Sequence, residues 1–159
     1  MIELALVGVR VELPSNQPIV LLKESDGERY LPIWIGAVEA TAIAFALQGI
    51  QTPRPMTHDL LRDILASSEI EVERIVISEL VDQTFYATIR MSTNGKATEV
   101  SSRPSDAIAL AVRVNVPIYA DEEVLEQAGI ELRDEEESEV EKFREFLDQV
   151  SPEDFAAGQ

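Results

Sequence analysis

The sequence predicts an α/β (α+β) fold in which duplicated three-strand-plus-helix units form a β/α/β layered arrangement, with added helices and an acidic helical C-terminal tail. Three observations carry this. Ile2-Glu3-Leu4 returns as Ile70-Glu71-Val72 and Asp26-Gly27 as Asn94-Gly95, both 68 positions later. Thr41-Ala-Ile-Ala-Phe-Ala-Leu47 then returns as Asp106-Ala-Ile-Ala-Leu-Ala-Val112, 65 positions later. Finally, both of these helical segments are apolar almost all round, so each needs cover on every side, from sheets or from another subunit.

The elements follow in order. Residues 2–13 alternate, but the apolar phase flips between Leu6 and Val7 beside Gly8, which predicts a strand with a bulge. Pro14-Ser15-Asn16 is a turn, and residues 19–23 form a second strand. Asp26-Gly27 predicts a two-residue hairpin into a third strand over 29–35, where Pro32 favours an edge or a bulge. A helix follows over 37–47 and stops at Gly49. The second unit repeats this with strands at 71–79, 84–91 and 97–101, a hairpin at Asn94-Gly95, and a helix from 105 or 106 to 113.

Between the units (repeat 1 at 2–48, repeat 2 at 70–113) an inserted helix is expected at 57–67, with Leu60, Leu61, Ile64 and Leu65 facing inward. After repeat 2, residues 116–119 suit a short strand, and Asp121 starts a helix that closes at Gly129. The domain is thus expected to span 1–133. Residues 134–159 form the acidic extension, with a capping box at Ser138 and Glu141 and an apolar stripe of Val140, Phe143, Leu147 and Val150, joined by Phe146. A helix docked on the body is the simpler reading of this stripe, and an arm that recruits a basic partner is the other.

Charge and composition narrow the functional classes. The net charge is −17, with 15 acids against 10 bases in residues 1–120 and 15 against 3 in 121–159. Such a field opposes tight, non-specific binding to phosphate backbones. There is no cysteine, hence no disulfide or thiolate site. The N-terminus lacks the features of a signal peptide, and no apolar run approaches the ~20 residues of a membrane span, so a soluble cytoplasmic protein is expected. Walker A, G-x-G-x-x-G, G-x-S-x-G and H-E-x-x-H patterns are all missing from the sequence.

Two Arg-Pro pairs stand before helices: Arg54-Pro55-Met56-Thr57-His58-Asp59 and Arg103-Pro104-Ser105-Asp106. Each sets a guanidinium, a hydroxyl and a carboxylate around a helix N-terminus, where free N–H groups and the dipole favour an anion. Arg54, Thr57, Arg103 and Ser105 are therefore candidate phosphate-binding residues. Thr57 and Ser105 also suit simple N-caps, and Asp59 and Asp106 suit the first helical turn. His58, the single histidine, is a candidate general base or ligand, and equally a bridge between loop and body. Glu39 lies beside so much apolar surface that its carboxylate must face a cleft, a partner or a cation. Glu39, Asp59 and Asp106 together could hold Mg²⁺ or Mn²⁺, and no organic cofactor is expected.

Read as strings, Leu31-Pro-Ile-Trp-Ile-Gly36-x-x-Glu39-Ala40, Arg54-Pro55-x-Thr57-His58-Asp59-Leu60-Leu61 and Arg103-Pro104-Ser105-Asp106-Ala107-Ile108 resemble the bifunctional nuclease domain family, as do Val116-Pro117-Ile118 and Val124-Leu125-x-x-Ala128-Gly129. The resemblance covers about residues 1–130. It implies a homo-oligomer, a dimer or larger, that hydrolyses DNA and RNA with help from a divalent cation. Its polar motif positions here are Glu39, Arg54, Thr57, His58, Asp59, Arg103, Ser105 and Asp106. The expected function is a nuclease-type phosphodiesterase with His58, Asp59, Asp106, Arg54 and Arg103 as its catalytic set. The alternatives are a non-catalytic oligomeric regulatory or interaction module and a phosphate-metabolite binding protein.

Overall fold

A computed structural model describes residues 1–12 and 16–131 of the chain. In the first repeat, alternating apolar residues form β1 (Ile2–Glu12), β2 (Gln17–Glu24) and β3 (Arg29–Trp34), followed by helix α1 (Ala37–Leu47). The second repeat gives β4 (Glu71–Val81), β5 (Thr84–Thr93), β6 (Lys96–Ser102) and α3 (Pro104–Val114), with α2 (Thr57–Ser67) inserted between the repeats. β7 (Ile118–Ala120), α4 (Glu122–Ala128) and β8 (Ile130–Glu131) complete an α+β fold. The extension expected at 134–159, with its capping box and stripe, lies outside the described residues.

The strands form one eight-stranded sheet in the order β6-β5-β4-β7-β1-β2-β3-β8. The sheets expected around the helices are thus two halves of one continuous sheet. β7 joins them, antiparallel to β1 and parallel to β4, so the two repeats run outward from a shared centre. The register of β1 on β2 shifts between Leu6 and Gly8, the bulge that the phase flip requires. Pro32 is paired with Leu21 but lies beyond the reach of β8, which pairs only with Arg29 and Tyr30. Its missing N–H therefore costs the ladder nothing.

The two glycine hairpins differ. Asn94 and Gly95 have φ of 51° and 78°, the pair of positive values that a tight two-residue turn needs. Asp26-Gly27 instead sits in a four-residue loop between Glu24 and Arg29, and neither residue has positive φ. Arg29 turns back onto Glu24 and forms a fork with Glu122 of α4, at 3.0 Å through both terminal nitrogens.

The helices pack on one face of the sheet, where Val20, Leu22, Leu31, Ile75 and Ile77 form the floor of the core. Helix α3 is buried from Pro104 to Ala111, apart from Asp106, and its alanines let it approach both α1 and the strands closely. Helix α1 is less covered than its composition suggests: Val38 is 68% exposed and Leu47 43%. The expected inward stripe of α2 is also split. Leu61 and Leu65 pack on the core, while Leu60 and Ile64 remain exposed because α2 rests on α3 along only one side.

Candidate functional site

Three helices bring four of the polar motif residues together. His58, in the first turn of α2, places Nε2 2.9 Å from Asp106 Oδ1 in the first turn of α3. Arg103 stands just before α3, because Pro104 with its fixed φ takes the first helical position. Its Nε donates to Asp106 Oδ2 at 2.9 Å and its NH2 to Asp106 Oδ1 at 3.1 Å. Its NH1 donates to Glu39 Oε1 at 2.9 Å, which ties α1 to the same cluster. Gly36 makes this possible on the α1 side, since a Cβ there would collide with the Glu39 carboxylate.

The electrostatics follow from these contacts. Burial alone would raise the Asp106 carboxyl, but hydrogen bonds from Arg103 and His58 outweigh it and hold the group below the ordinary carboxylate range. Arg103 is pushed up by Asp106 first and Glu39 second. An ionised carboxylate can only accept, so it is Nε2–H that donates to Asp106, and Nδ1 has no hydrogen-bond partner among the described residues.

The cluster sits at the rim of a cavity of about 800 Å³ between α2, α3 and strands β5 and β6. Leu60, Leu61, Ile64, Met91 and Val100 give it an apolar wall, while Thr57, His58, Arg103 and Asp106 line its polar end. Arg103 is the exposed member, with 63% of its side chain accessible, whereas His58 is 8% exposed.

The remaining motif residues lie elsewhere. Asp59, about 100° further round α2, faces a second cavity of about 600 Å³, lined also by Arg62, Arg113 and Asn115, and the two cavities share no lining residue. There Asp59 Oδ1 accepts from Arg113 Nε at 2.7 Å and Oδ2 from the Met56 N–H at 3.1 Å. Burial would raise its carboxyl, yet the Arg113 and Met56 hydrogen bonds prevail and lower it. Arg54 is exposed and lines neither cavity. Thr57 and Ser105 do not cap: Met56 and Arg103 hold the cap positions, Thr57 opens α2, and Ser105 is buried one residue inside α3. In α2 the carboxylate of Asp59 satisfies the Met56 N–H that a capping box would serve.

Glu39, Asp59 and Asp106, the three carboxylates expected to share a cation, do not converge on one point. Among the described residues no group of three or more His, Asp or Glu side chains converges as ligands. Asp59 is held away by Arg113, and the oxygens that Glu39 and Asp106 bring together are bridged by the Arg103 guanidinium. Arg113 itself was not among the residues the sequence singled out. Its one signal is the seven-residue spacing from Asp106, which places both on one face of α3.

A family model of the bifunctional nuclease domain matches residues 20–133. The chain belongs to the bifunctional nuclease domain family. The match begins inside β2, so β1 lies outside it although the sheet places β1 between β7 and β2. An uncharacterized protein of Mycobacterium tuberculosis is 52% identical over 164 residues, covering 98% of each chain. Bifunctional nuclease 1 of Arabidopsis thaliana is 30% identical over 108 residues, covering 65% of this chain and 33% of the plant protein. Bifunctional nuclease 2 of Oryza sativa subsp. japonica is 28% identical over 127 residues, covering 77% of this chain and 39% of that protein. The chain therefore spans only about a third to two fifths of the plant nucleases' length. Among the described residues, no helix is long and apolar enough to cross a membrane.

Proposed function

We propose that this bifunctional nuclease domain is a phosphodiesterase acting on single-stranded RNA or DNA, with its reacting centre at His58, Asp106 and Arg103. The observation that carries the reading is the 2.9 Å bond from His58 Nε2 to Asp106, at the rim of a groove that also holds an exposed arginine. Asp106 fixes the tautomer, so Nδ1 takes a proton from the attacking water. A new P–O bond forms, the bond to one sugar oxygen breaks, and the leaving oxygen takes a proton from solvent. Arg103 steadies the extra charge on the phosphoryl oxygens. Three of its five N–H groups are held by Asp106 and Glu39, which leaves two to meet a phosphate. The apolar wall suits an unpaired base. Thr57 lines the groove next to His58 and contacts the substrate there, while Arg54 receives a more distant phosphate of a longer strand.

Mg²⁺ or Mn²⁺ enters this reading as a counter-ion of the substrate, offsetting the net charge of −17, and not as a resident of the Glu39, Asp59 and Asp106 set. The test is cleavage of labelled single-stranded RNA and DNA by the wild type and His58→Ala, with and without chelator. His58→Ala should cleave roughly 10²–10⁴-fold more slowly while its circular dichroism is unchanged. Cleavage at the wild-type rate by that variant rejects the mechanism.

The exposure of Val38 and Leu47 on α1 supports a further part of the reading, a homo-oligomer that covers this helix. Val38→Glu should then lower the mass measured by analytical ultracentrifugation, and an unchanged mass places any contact elsewhere. If purified protein shows no turnover, the same exposed helix favours a non-catalytic assembly module.

A further inference from the structure

His58 and Asp59 are consecutive, yet they face different cavities, and each is fastened to α3 by its own ion pair. Their partners, Asp106 and Arg113, lie on one face of α3, about 10 Å apart along its axis. The Arg113 side chain is only 4% exposed and reaches three helices. It donates to Asp59 Oδ1 on α2 at 2.7 Å, to the Ala42 carbonyl on α1 at 3.0 Å, and to the Ala109 carbonyl one turn back in α3 at 2.9 Å. Those helices carry His58, Glu39 and Asp106 respectively, and Ala42 lies one turn beyond Glu39.

We propose that Arg113 is a positioning residue for His58, setting the seat of α2 on α1 and α3 and thereby the distance from the imidazole to Asp106. This rests on His58 as the reacting base. Leu61 and Leu65 seat α2 on the core without directing its polar side chains, and a second polar anchor one residue after His58 fixes how the imidazole meets Asp106. The Asp59 carboxylate transmits the constraint, because its other oxygen holds the Met56 N–H at the start of α2. The three acceptors are met by three separate nitrogens of the guanidinium, whereas the donors of a lysine ammonium radiate from a single atom, so lysine cannot stand in. A shift of about 1 Å at a reacting group costs on the order of a hundredfold in rate.

The test uses the full chain and its single histidine, whose ring N–H gives one uncrowded proton resonance. Arg113→Met and Arg113→Lys should remain folded and lose this exchange-protected signal. Their kcat should drop about a hundredfold with KM little changed. Leu125→Ala, on the buried face of α4 and away from both cavities, lowers thermal stability without touching the clamp and should keep the signal and kcat. Retention of signal and wild-type kcat in Arg113→Met overturns the proposal. So does equal loss of both in Leu125→Ala, which would make the effect one of general stability. If the wild type shows no turnover, the phosphodiesterase reading fails, while the His58 resonance still decides whether Arg113 positions the ring.

Discussion

Asp106→Asn separates the role of this residue in holding the fold from its role in the reaction. The substitution keeps the side chain's shape but removes its charge and turns one acceptor oxygen into an NH2 donor, so the bonds from Arg103, at 2.9 and 3.1 Å, and from His58, at 2.9 Å, cannot all be kept. The Arg103 side chain is 63% exposed and that of Asp106 32%, so water competes for the first two bonds. After screening they contribute no more than about 1 kcal/mol together. The His58 bond, with its ring 11% exposed, contributes about 1 kcal/mol more. A loss of about 2 kcal/mol lowers Tm by roughly 4–10 °C in a domain of this size. The effect on rate is far larger. An asparagine amide that donates to Nε2 drives the proton to Nδ1, and the nitrogen that should accept from water becomes a donor. Loss of the correct tautomer costs on the order of 10³–10⁴-fold in kcat, or about 4–5.5 kcal/mol of barrier. Calorimetry and a single-stranded oligonucleotide assay on the same preparation read both. A Tm drop of this size with kcat unchanged would show that Asp106 only anchors α2, and that Nδ1 of His58 is not the base.

Two further outcomes test the frame around the site. Asp59 has a carboxyl lowered in the folded state, so its stabilising effect is fully present above the unfolded value of about 3.9 and is lost as pH falls through the folded value. Asp59→Asn should therefore be about 2 kcal/mol less stable than the wild type at neutral pH, with the gap closing in urea titrations below about pH 4. A gap unchanged into strong acid would mean that the Arg113 pair does not account for it. Gly95→Ala places a side chain at φ +78° with no atom within 4 Å of the new Cβ. Its cost should be the backbone strain alone, about 1 kcal/mol in chemical denaturation, and a much larger loss would reveal a packing role at the turn.

What the sequence revealed of the fold is what local chemistry encodes. Gly36 and Gly49 bracket α1, and the Asn94-Gly95 turn follows from residues that tolerate positive φ. The Asp82-Gln83 turn, with φ of 50° and 64°, has the same geometry without a glycine and left no comparable mark. Asp26-Gly27 carried the mark but took another form, in a loop whose following residue, Arg29, pairs with Glu122, 93 residues away. The site shows the same division. Arg103, Asp106 and His58 stood out because an Arg-Pro pair before a helix gathers ionisable groups at its N-terminus, and Glu39 because its carboxylate lies beside so much apolar surface. Arg113 did not, since an arginine in a last helical turn already fits the helix dipole. Its real partners are 54 and 71 residues away.

The duplication explains why one such site forms and not two. At the offset of 65, Arg103 corresponds to Val38, Asp106 to Thr41 and Arg113 to Gln48. The two repeats thus supply equivalent helices, but only α3 carries the guanidinium and carboxylate that face α2. Thr41 returns its hydroxyl to the Ala37 carbonyl of its own helix at 3.0 Å, and Val38 is left exposed. The inserted α2 then breaks what symmetry remains by packing against α3. It brings a histidine to Asp106 and an aspartate to Arg113 in two successive residues. Helix α1 contributes the Glu39 side chain, at a position where α3 has Pro104, and the Ala42 carbonyl that accepts from Arg113. A duplicated scaffold therefore gains its cluster by divergence at Arg103, Asp106 and Arg113 on the α3 side and at Glu39 on the α1 side, together with one insertion.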